Sequence, residues 1–243
     1  MTFSWTRVGA ILRKELRDYR RNRFVIFSMS ALPLLFIVLT MIQLFTIKVS
    51  SSPRLNDRIG ISMLYLLIIP TMVPSALTAY SVVGEREQGT LEPVLITPIR
   101  REEFLVGKAL AAFAPTLVIA YTLFGVFLGA AELFAQPAVV SAIFERSHVL
   151  VQLLYTPLLA GWSIWMGIGI SARSTDVRAA QQLAVFASLP PLGLVALLSF
   201  NVIPASVGLA LGLAAGLLVV DGFGWRAVAA LFDRERLITG GRA

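Results

Sequence analysis

Cysteine is absent from this chain of 243 residues, and charged residues are scarce. Without thiols the chain has neither a disulfide framework nor a cysteine nucleophile or metal ligand. Asp, Glu, Lys and Arg make up 14% of the sequence and hydrophobic residues 57%, whereas a soluble domain carries about 25% charged residues. This balance excludes an ordinary soluble domain and indicates an integral membrane protein.

Residues able to carry bond chemistry are also few. His148 is the only histidine, and Glu145 beside it would complete a ligand pair, but a lone histidine at a helix end more often has a structural role. The nearest approach to a phosphate-binding loop is Gly107-Lys108-Ala109. It has Glu102 where the first glycine of the loop should stand and no Ser or Thr after the lysine. We therefore expect no catalytic, metal or nucleotide site in this chain.

The apolar residues are gathered into long runs free of Asp, Glu, Lys and Arg. Crossing a bilayer takes about 20 apolar residues, and the runs that reach or approach this length are residues 24–45, 59–83, 109–131, 149–172, 183–200 and 202–220. The last two are short and only Asn201 separates them, so they form either a tight helical hairpin or one re-entrant pair. The predicted fold is an all-α integral membrane protein with six transmembrane helices.

Basic residues are concentrated on one side of these spans. Of the 21 Lys and Arg residues, those on the minority side are Lys48, Arg54, Arg58 and Arg146. The positive-inside rule assigns the other side, which carries both termini, to the cytoplasm. We expect a multi-pass protein of the plasma membrane with both termini in the cytoplasm. The net charge of +7 and the pI near 10.4 follow from this topology, so no nucleic-acid partner is expected.

The segment before the first span has the periodicity of a helix. Its apolar residues recur every three or four positions and most basic ones lie off that stripe, which is typical of an amphipathic helix lying in the membrane plane. The residues of this pattern are Trp5, Val8, Leu12, Arg13, Leu16, Arg17, Tyr19 and Arg20. The alternative is an ordinary basic flank of the first span. Trp225, Val228 and Leu231 predict a second, shorter amphipathic helix after the last span.

A charged segment joins the second and third spans. Gly84 and Gly89 should interrupt the helix that leaves the second span, Thr90 is suited to cap a new short helix, and Thr97-Pro98 to end it. These glycine, threonine and proline positions predict a helix–turn–helix elbow. The alternative is a solvated connecting loop. The charges displayed there are Glu85, Arg86, Glu87 and Glu92.

Two of these carboxylates also have expected partners. We expect Glu85 and Glu87 to hold the end of the second span against basic residues of the N-terminal helix, such as Arg13, Arg17 or Arg20.

The charged segment resembles one found in membrane subunits of type-2 ATP-binding-cassette (ABC) exporters. Residues 84–108 read GEREQGTLEPVLITPIRREEFLVGK. The residues that match the family's pattern are Gly84, Glu85, Arg86, Glu87, Gly89, Thr90, Leu91, Glu92, Leu95, Thr97 and Pro98, followed by a looser match through Gly107-Lys108. The six-span layout and the basic N-terminal helix are also similar to the family, so the resemblance covers the whole chain.

The resemblance implies a transport subunit and not an enzyme. Two membrane subunits, here expected to be a homodimer, would form the translocation path. Two nucleotide-binding ATPase subunits would bind ATP and magnesium, so that this chain holds no cofactor, and membrane lipid would surround the complex.

The resemblance also assigns roles along a single transmembrane domain. Residues 1–23 would be a connecting helix, 24–83 the first two spans, 84–108 the coupling segment with its coupling helix at 90–96, 109–220 the other spans and 221–243 a cytoplasmic tail. The residues implied to couple the chain to the ATPase are Glu85, Arg86, Glu87, Gly89, Thr90, Leu91, Glu92, Val94, Leu95, Thr97 and Pro98. The large external domain that some relatives carry between the last two spans is almost absent here.

The spans point to a class of substrate. Charge inside a membrane usually marks an ion or proton pathway, and its absence from the predicted spans favours a lipophilic or amphiphilic substrate, a drug or a lipid. The alternatives are sodium export by the same kind of subunit, or a six-span channel or scaffold without an ATPase partner.

Overall fold

The structure is a computed structural model that describes residues 3–46, 52–87, 89, 99–199 and 207–231, and every regular element in these residues is helical. In chain order the helices are α1 (Trp5–Arg21), α2 (Arg23–Thr46), α3 (Ser52–Ala79), α4 (Arg101–Phe134), α5 (Pro137–Ile143), α6 (Arg146–Arg173), α7 (Val177–Ala187), α8 (Leu189–Ser199) and α9 (Val207–Leu231). α3 runs on through a π-helical turn (Tyr80–Gly84) and a final turn (Glu85–Glu87).

The prediction of six spans is confirmed by the helices of the described residues. Six stretches are long and apolar enough to cross a membrane: α2, α3 with its continuation, α4, α6, α7 with α8, and α9. Several begin earlier or end later than the apolar runs. α4, for example, begins at Arg101, so the second helix of the predicted elbow is the first part of the span helix itself.

α3 lies at the centre of the bundle. In its most apolar stretch 72% of the residues are buried, against 17–39% in the other spans. Polar side chains are tolerated there because each hydroxyl donates to a carbonyl of the preceding turn, as Ser75 does to Thr71 and Thr78 to Pro74. Gly167 on α6 lets the two helices approach closely, since a Cβ at that position would lie 1.9 Å from Oγ1 of Thr78.

The break between α1 and α2 falls at Asn22. Its backbone is extended, and its side-chain oxygen accepts hydrogen bonds from the backbone N–H groups of Phe24 and Val25 at 3.0 and 3.3 Å. Asn22 therefore ends α1 and caps the first span, so that α1 is a separate helix with its own orientation.

The last span differs from its prediction. α9 continues without a break to Leu231, so the separate amphipathic helix predicted around Trp225 and Val228 is wrong: these residues lie on the continuation of the span. The apolar run stops at Asp221, but the helix does not. A carboxylate therefore lies within a span helix, which contradicts the expectation that the spans carry no charge.

The fifth span is a helix pair, and a short helix lies between the third and fourth spans. α7 and α8 meet at Ser188, and together they provide a stretch of 21 residues, Val177–Leu197, long enough to cross. The predicted turn of the hairpin at Asn201 lies outside the described residues. α5 is this short helix, and Pro137 stands at its first position, where proline is well tolerated.

Candidate functional site

The first helix packs on the start of α4, where a glycine allows close approach. α1 buries Val8, Ile11, Glu15 and Tyr19. A Cβ on Gly107 of α4 would lie 2.7 Å from Cγ2 of Ile11 and 3.4 Å from the carbonyl oxygen of Val8. Any larger side chain at position 107 would therefore push the two helices apart.

Charged side chains cross this interface in a cluster that we call the charged junction. Its members are Arg7, Lys14 and Glu15 of α1, Glu85 and Arg86 of the turn after α3, and Glu103 and Lys108 of α4. The ammonium of Lys108 lies at its centre, 2.9 Å from Oε1 of Glu15 and 3.1 Å from Oε2 of Glu85, and its side chain has no exposed surface. It also donates a hydrogen bond to the carbonyl oxygen of Ser81. Lys108 thus joins α1, the end of α3 and α4.

Lys14 completes the junction from its exposed side. It pairs with Glu85 and lies 3.3 Å from Oε1 of Glu15 and 3.6 Å from Oδ2 of Asp18. Partial burial opposes the charged form, but the carboxylates of Glu15 and Glu85 outweigh it and raise the pKa of Lys14 above its usual value. Burial also opposes ionisation of Glu15, yet Lys108 and Lys14 hold the pKa of that carboxyl below its usual value. Both groups are therefore charged at neutral pH.

A second ion pair holds the beginning of α1. Oε1 of Glu103 accepts hydrogen bonds from the backbone N–H of Ser4 at 2.7 Å and from Nη2 of Arg7 at 2.8 Å. Its other oxygen accepts from the backbone N–H of Arg100 at 3.0 Å, as the carboxylate of a capping box does. One buried carboxylate therefore caps α4 and fixes the start of α1.

The π-helical turn sets the direction in which Glu85 points. A π turn holds an extra residue per turn and so rotates the side chains that follow it relative to those of α3. Ser171 of α6 supports the turn: its hydroxyl donates to the carbonyl of Ala79 at 2.8 Å and accepts from the N–H groups of Val82 and Val83 at 3.2 Å. The turn is thus anchored by hydrogen bonds to a neighbouring span.

Arg86 links the same turn to the end of α6. Its guanidinium donates to the carbonyl oxygens of Ala172 and Ser174, each at 3.2 Å. These carbonyls lie at the C-terminal end of α6, where a cation is stabilised by the helix dipole. Through Glu85 and Arg86, the end of the second span is connected to α1, α4 and α6 at once.

The residues predicted on the N-terminal helix lie on α1, but its buried face is rotated from the predicted stripe. Val8 and Tyr19 are buried and Leu12 and Leu16 half-buried, as the periodicity predicts. Trp5 is 69% exposed. The face of α1 that packs against α4 also includes Ile11 and Glu15. The exposed side of the helix holds Arg13, Arg17 and Arg20.

The expected partners of the acidic residues after the second span need correction. Glu85 does pair with α1, but through Lys14, and with Lys108 of α4, rather than through any of the predicted arginines. Glu85 is also 7% exposed instead of displayed at the surface. Arginines at 13, 17 and 20 point elsewhere because the buried face of α1 turns Lys14 and Glu15 toward the junction.

Only the first part of the predicted coupling segment falls within the described residues. Gly84 does not interrupt the helix but lies in the π turn, and Glu87 is exposed. Gly89 has φ +67° and its N–H donates to the carbonyl of Arg86, so this glycine makes the turn that ends the helix. The members that lie outside the described residues are Thr90, Leu91, Glu92, Val94, Leu95, Thr97 and Pro98.

Five charged residues of the junction were not predicted as functional: Arg7, Lys14, Glu15, Glu103 and Lys108. A signal for two of them was present, since Glu103 and Lys108 fall in the looser tail of the family-like segment. Glu15 is the one acidic residue on the face of α1 that the structure buries, and the apolar periodicity gave no signal for it.

His148 has the structural role that was favoured for it. Its Nδ1 lies 2.9 Å from the carbonyl oxygen of Ala142, near the end of α5, and 3.9 Å from the carboxylate of Glu145. The ring therefore links the end of α5 to the first turn of α6.

Comparison with known proteins gives one match. The model of a family described as "ABC-2 family transporter protein" matches residues 9–200. The match begins within α1, includes the whole charged junction except Arg7, and extends just past α8. No curated protein matches the chain.

Proposed function

The chain belongs to the ABC-2 family of transporter proteins, and from that premise we propose that it forms half of the translocation path of an ATP-driven exporter. It is a multi-pass membrane permease of an ABC transporter, a transport subunit and not a catalytic one. Permeases of this family usually work with an ATPase subunit. In the proposed complex two copies of this chain pair with two nucleotide-binding subunits, which bind ATP and magnesium.

The observation that carries the proposal is the position of the charged junction. The junction flanks residues 88–98 on both sides: Glu85 and Arg86 precede this segment, and Glu103 and Lys108 follow it. A force applied to the segment by an ATPase would reach α1, α3, α4 and α6 together, because buried ion pairs and hydrogen bonds connect all four. We assign residues 90–96 as the coupling helix and α1 as the connecting helix.

The proposed orientation follows from the charge distribution. The side that carries the junction also carries most of the Lys and Arg residues, which supports a cytoplasmic location for this side and for both termini of a plasma membrane protein. This is the side on which ATP is available.

The proposed substrate is lipophilic or amphiphilic, a drug or a lipid. The span helices are apolar over most of their lengths, and the exposed surfaces of α2 and α9 are rich in Leu, Val and Phe. Such surfaces suit molecules that partition into the bilayer, since a hydrated ion needs polar groups along its path.

The test is co-purification of the ATPase together with its activity. Tagged chain is purified from its native membranes in nonionic detergent, and bound subunits with a phosphate-binding loop are identified by mass spectrometry. Leu91→Asp places a charge on the apolar side of the coupling helix and should release the ATPase, because an unpaired charge in a groove costs several kcal/mol. Normal ATPase binding and transport by this variant would refute the coupling role of the segment.

A matched pair of variants separates assembly from coupling. Glu85→Gln should keep the ATPase bound but reduce substrate-stimulated ATP hydrolysis in reconstituted vesicles, because Glu85 connects the segment to Lys14 and Lys108. Glu102→Gln is the control, since Glu102 is an exposed carboxylate at the other end of the segment. Equal effects of the two variants would show that the junction does not transmit the movement.

A further inference from the structure

A cavity of about 250 Å³ opens at the side of the bundle between α4, α6 and α9, away from the charged junction. Its walls are apolar except for one carboxylate, that of Asp221. The aromatic members of the wall are Phe113, Trp165 and Trp225, and Leu110 at the edge is 36% exposed. An acidic group in an apolar pocket within a span calls for an explanation, because ionisable residues at such depth are costly and usually functional.

Asp221 is held in a fixed position by α6. Its Oδ1 accepts a hydrogen bond from Nε1 of Trp165 at 2.9 Å. Its Oδ2 lies over Gly161, where a Cβ would be 3.3 Å away, so the glycine leaves room for the carboxylate. Within the described residues no Lys, Arg or His lies within 4.0 Å of Asp221, and one indole N–H does not neutralise its charge.

Trp165 is likewise fixed, by a glycine on the opposite helix. A Cβ on Gly224 would lie 2.4 Å from the Trp165 ring, so only glycine lets the indole rest against α9. The other side of Trp165 meets Trp162 edge to face, with ring centroids 4.9 Å apart. Trp225 follows Asp221 by one helical turn and lies on the same side of α9. The carboxylate is therefore flanked by two indole rings, one of them rigidly packed.

The carboxylate, the indole rings and the apolar walls together favour a ligand that carries a cationic group on an apolar body. The faces of tryptophan rings attract ammonium groups, and a carboxylate beside them supplies the opposite charge. The rest of the cavity is apolar and opens to the side, so a hydrocarbon chain can leave it without crossing polar surface.

We propose that the Asp221 cavity binds the ammonium head of an amphiphile, paired with the carboxylate and resting on the ring of Trp225, with its apolar tail alongside α4 and α9. The proposal adds a ligand class to the transporter, but it does not rest on export, because binding requires neither ATP nor a partner subunit. The ammonium can come from a free cationic amphiphile or from an amine-headed lipid.

The test is binding of dansylcadaverine, a primary ammonium on an alkyl chain with a dansyl group that accepts energy from tryptophan. Full-length chain in neutral maltoside detergent is excited at its tryptophans and dansyl emission is titrated. We expect saturable binding, and about tenfold weaker binding of the N-acetylated probe, which has the same body and no charge. Equal binding of the two probes would overturn the proposal without any mutation.

Variants then locate the site. Asp221→Asn keeps an acceptor for Trp165 and removes the charge, so it should weaken binding of dansylcadaverine about tenfold and leave the acetylated probe unchanged. Trp225→Leu should weaken it roughly threefold. Glu132→Gln, an exposed carboxylate on α4, is the control and should bind as the parent does. Undiminished binding to Asp221→Asn would place the cation elsewhere and refute the assignment.

A competition experiment distinguishes the two sources of the ammonium. Phosphatidylethanolamine is added to the bound probe, with phosphatidylglycerol as a control that lacks an amine. Displacement by the amine lipid alone identifies a lipid site, and no displacement by either identifies a site for free cationic amphiphiles. Equal displacement by both lipids would show that the site does not distinguish an amine head group from one without an amine, which contradicts the proposal.

Discussion

Replacement of Lys108 by methionine tests whether the charged junction holds the first helix in place. The lysine side chain has no exposed surface, and its ammonium lies 2.9 and 3.1 Å from the carboxylates of Glu15 and Glu85. Methionine retains most of the apolar stem and removes the charge. The side chains that bear the two carboxylates are 6% and 9% exposed, and Lys14 would remain beside both.

The size of the effect follows from burial. Removing one partner of a buried ion pair costs about 3–5 kcal/mol, because the other charge stays buried without compensation. Lys14 remains beside both carboxylates, so we expect the lower end of that range, about 3 kcal/mol. For a chain of this length 1 kcal/mol shifts the melting temperature by about 2–4 °C, so the Tm should fall by roughly 6–12 °C.

The assay is thermal unfolding of the purified full-length chain in nonionic detergent, followed by circular dichroism. Lys14→Met is the matched control. Its side chain is 42% exposed, and exposed ion pairs contribute about 0.2–1 kcal/mol, so its Tm should fall by no more than about 4 °C. Adding Glu15→Gln and Glu85→Gln to Lys108→Met should recover much of the loss, because the uncompensated charges are then gone.

Two results would refute this reasoning. The first is a Tm for Lys108→Met no lower than that for Lys14→Met. The second is a triple variant less stable than Lys108→Met alone, because the carboxylates would then stabilise the fold without the lysine.

Two further predictions concern the same interface. Gly107→Ala should lower the free energy of unfolding by about 1–3 kcal/mol, because its Cβ would lie 2.7 Å from Ile11, and adding Ile11→Ala should relieve the clash. Gly125→Ala on the same helix is the control, because open space surrounds that glycine. An equal loss of Tm in the two glycine variants would contradict the packing described. Acid should weaken the junction through Glu15. Folding lowers the pKa of Glu15. The stabilisation that its carboxylate gives to the fold is therefore complete above the usual carboxyl pKa of 4.5, and it is lost as the pH falls through the pKa of Glu15 in the folded protein. The Tm advantage of the parent over Glu15→Gln should therefore be constant near neutrality and shrink below about pH 4.5, and a constant difference at all pH values would exclude this linkage.

The spans were predictable because a bilayer selects for length and apolarity, properties that are local in the sequence. The ends of the span helices were less predictable, because a helix can continue beyond its apolar run as long as its backbone hydrogen bonds are formed. Asp221 shows this. It closes an apolar run, and the sequence therefore assigned it to a tail, whereas α9 carries it into the bundle beside Trp165.

The sequence predicted ion pairs between the end of the second span and the N-terminal helix, but not which residues form them. Periodicity marked the apolar stripe of α1 but not Ile11 and Glu15, which face α4 in the structure. Lys108 was counted as one of many basic residues that mark topology. Its burial depends on two carboxylates that are distant in the sequence, and no local pattern reports such pairing.

The burial of Lys108 also has a consequence for the order of synthesis. Glu15 leaves the ribosome 93 residues before its partner, an interval of about 5–20 s at ordinary translation rates. During that time Glu15 of α1 lacks its ion pair with Lys108. This end of the protein can therefore be completed only after the third span has entered the membrane, and a nascent chain halted before residue 108 should leave α1 undocked.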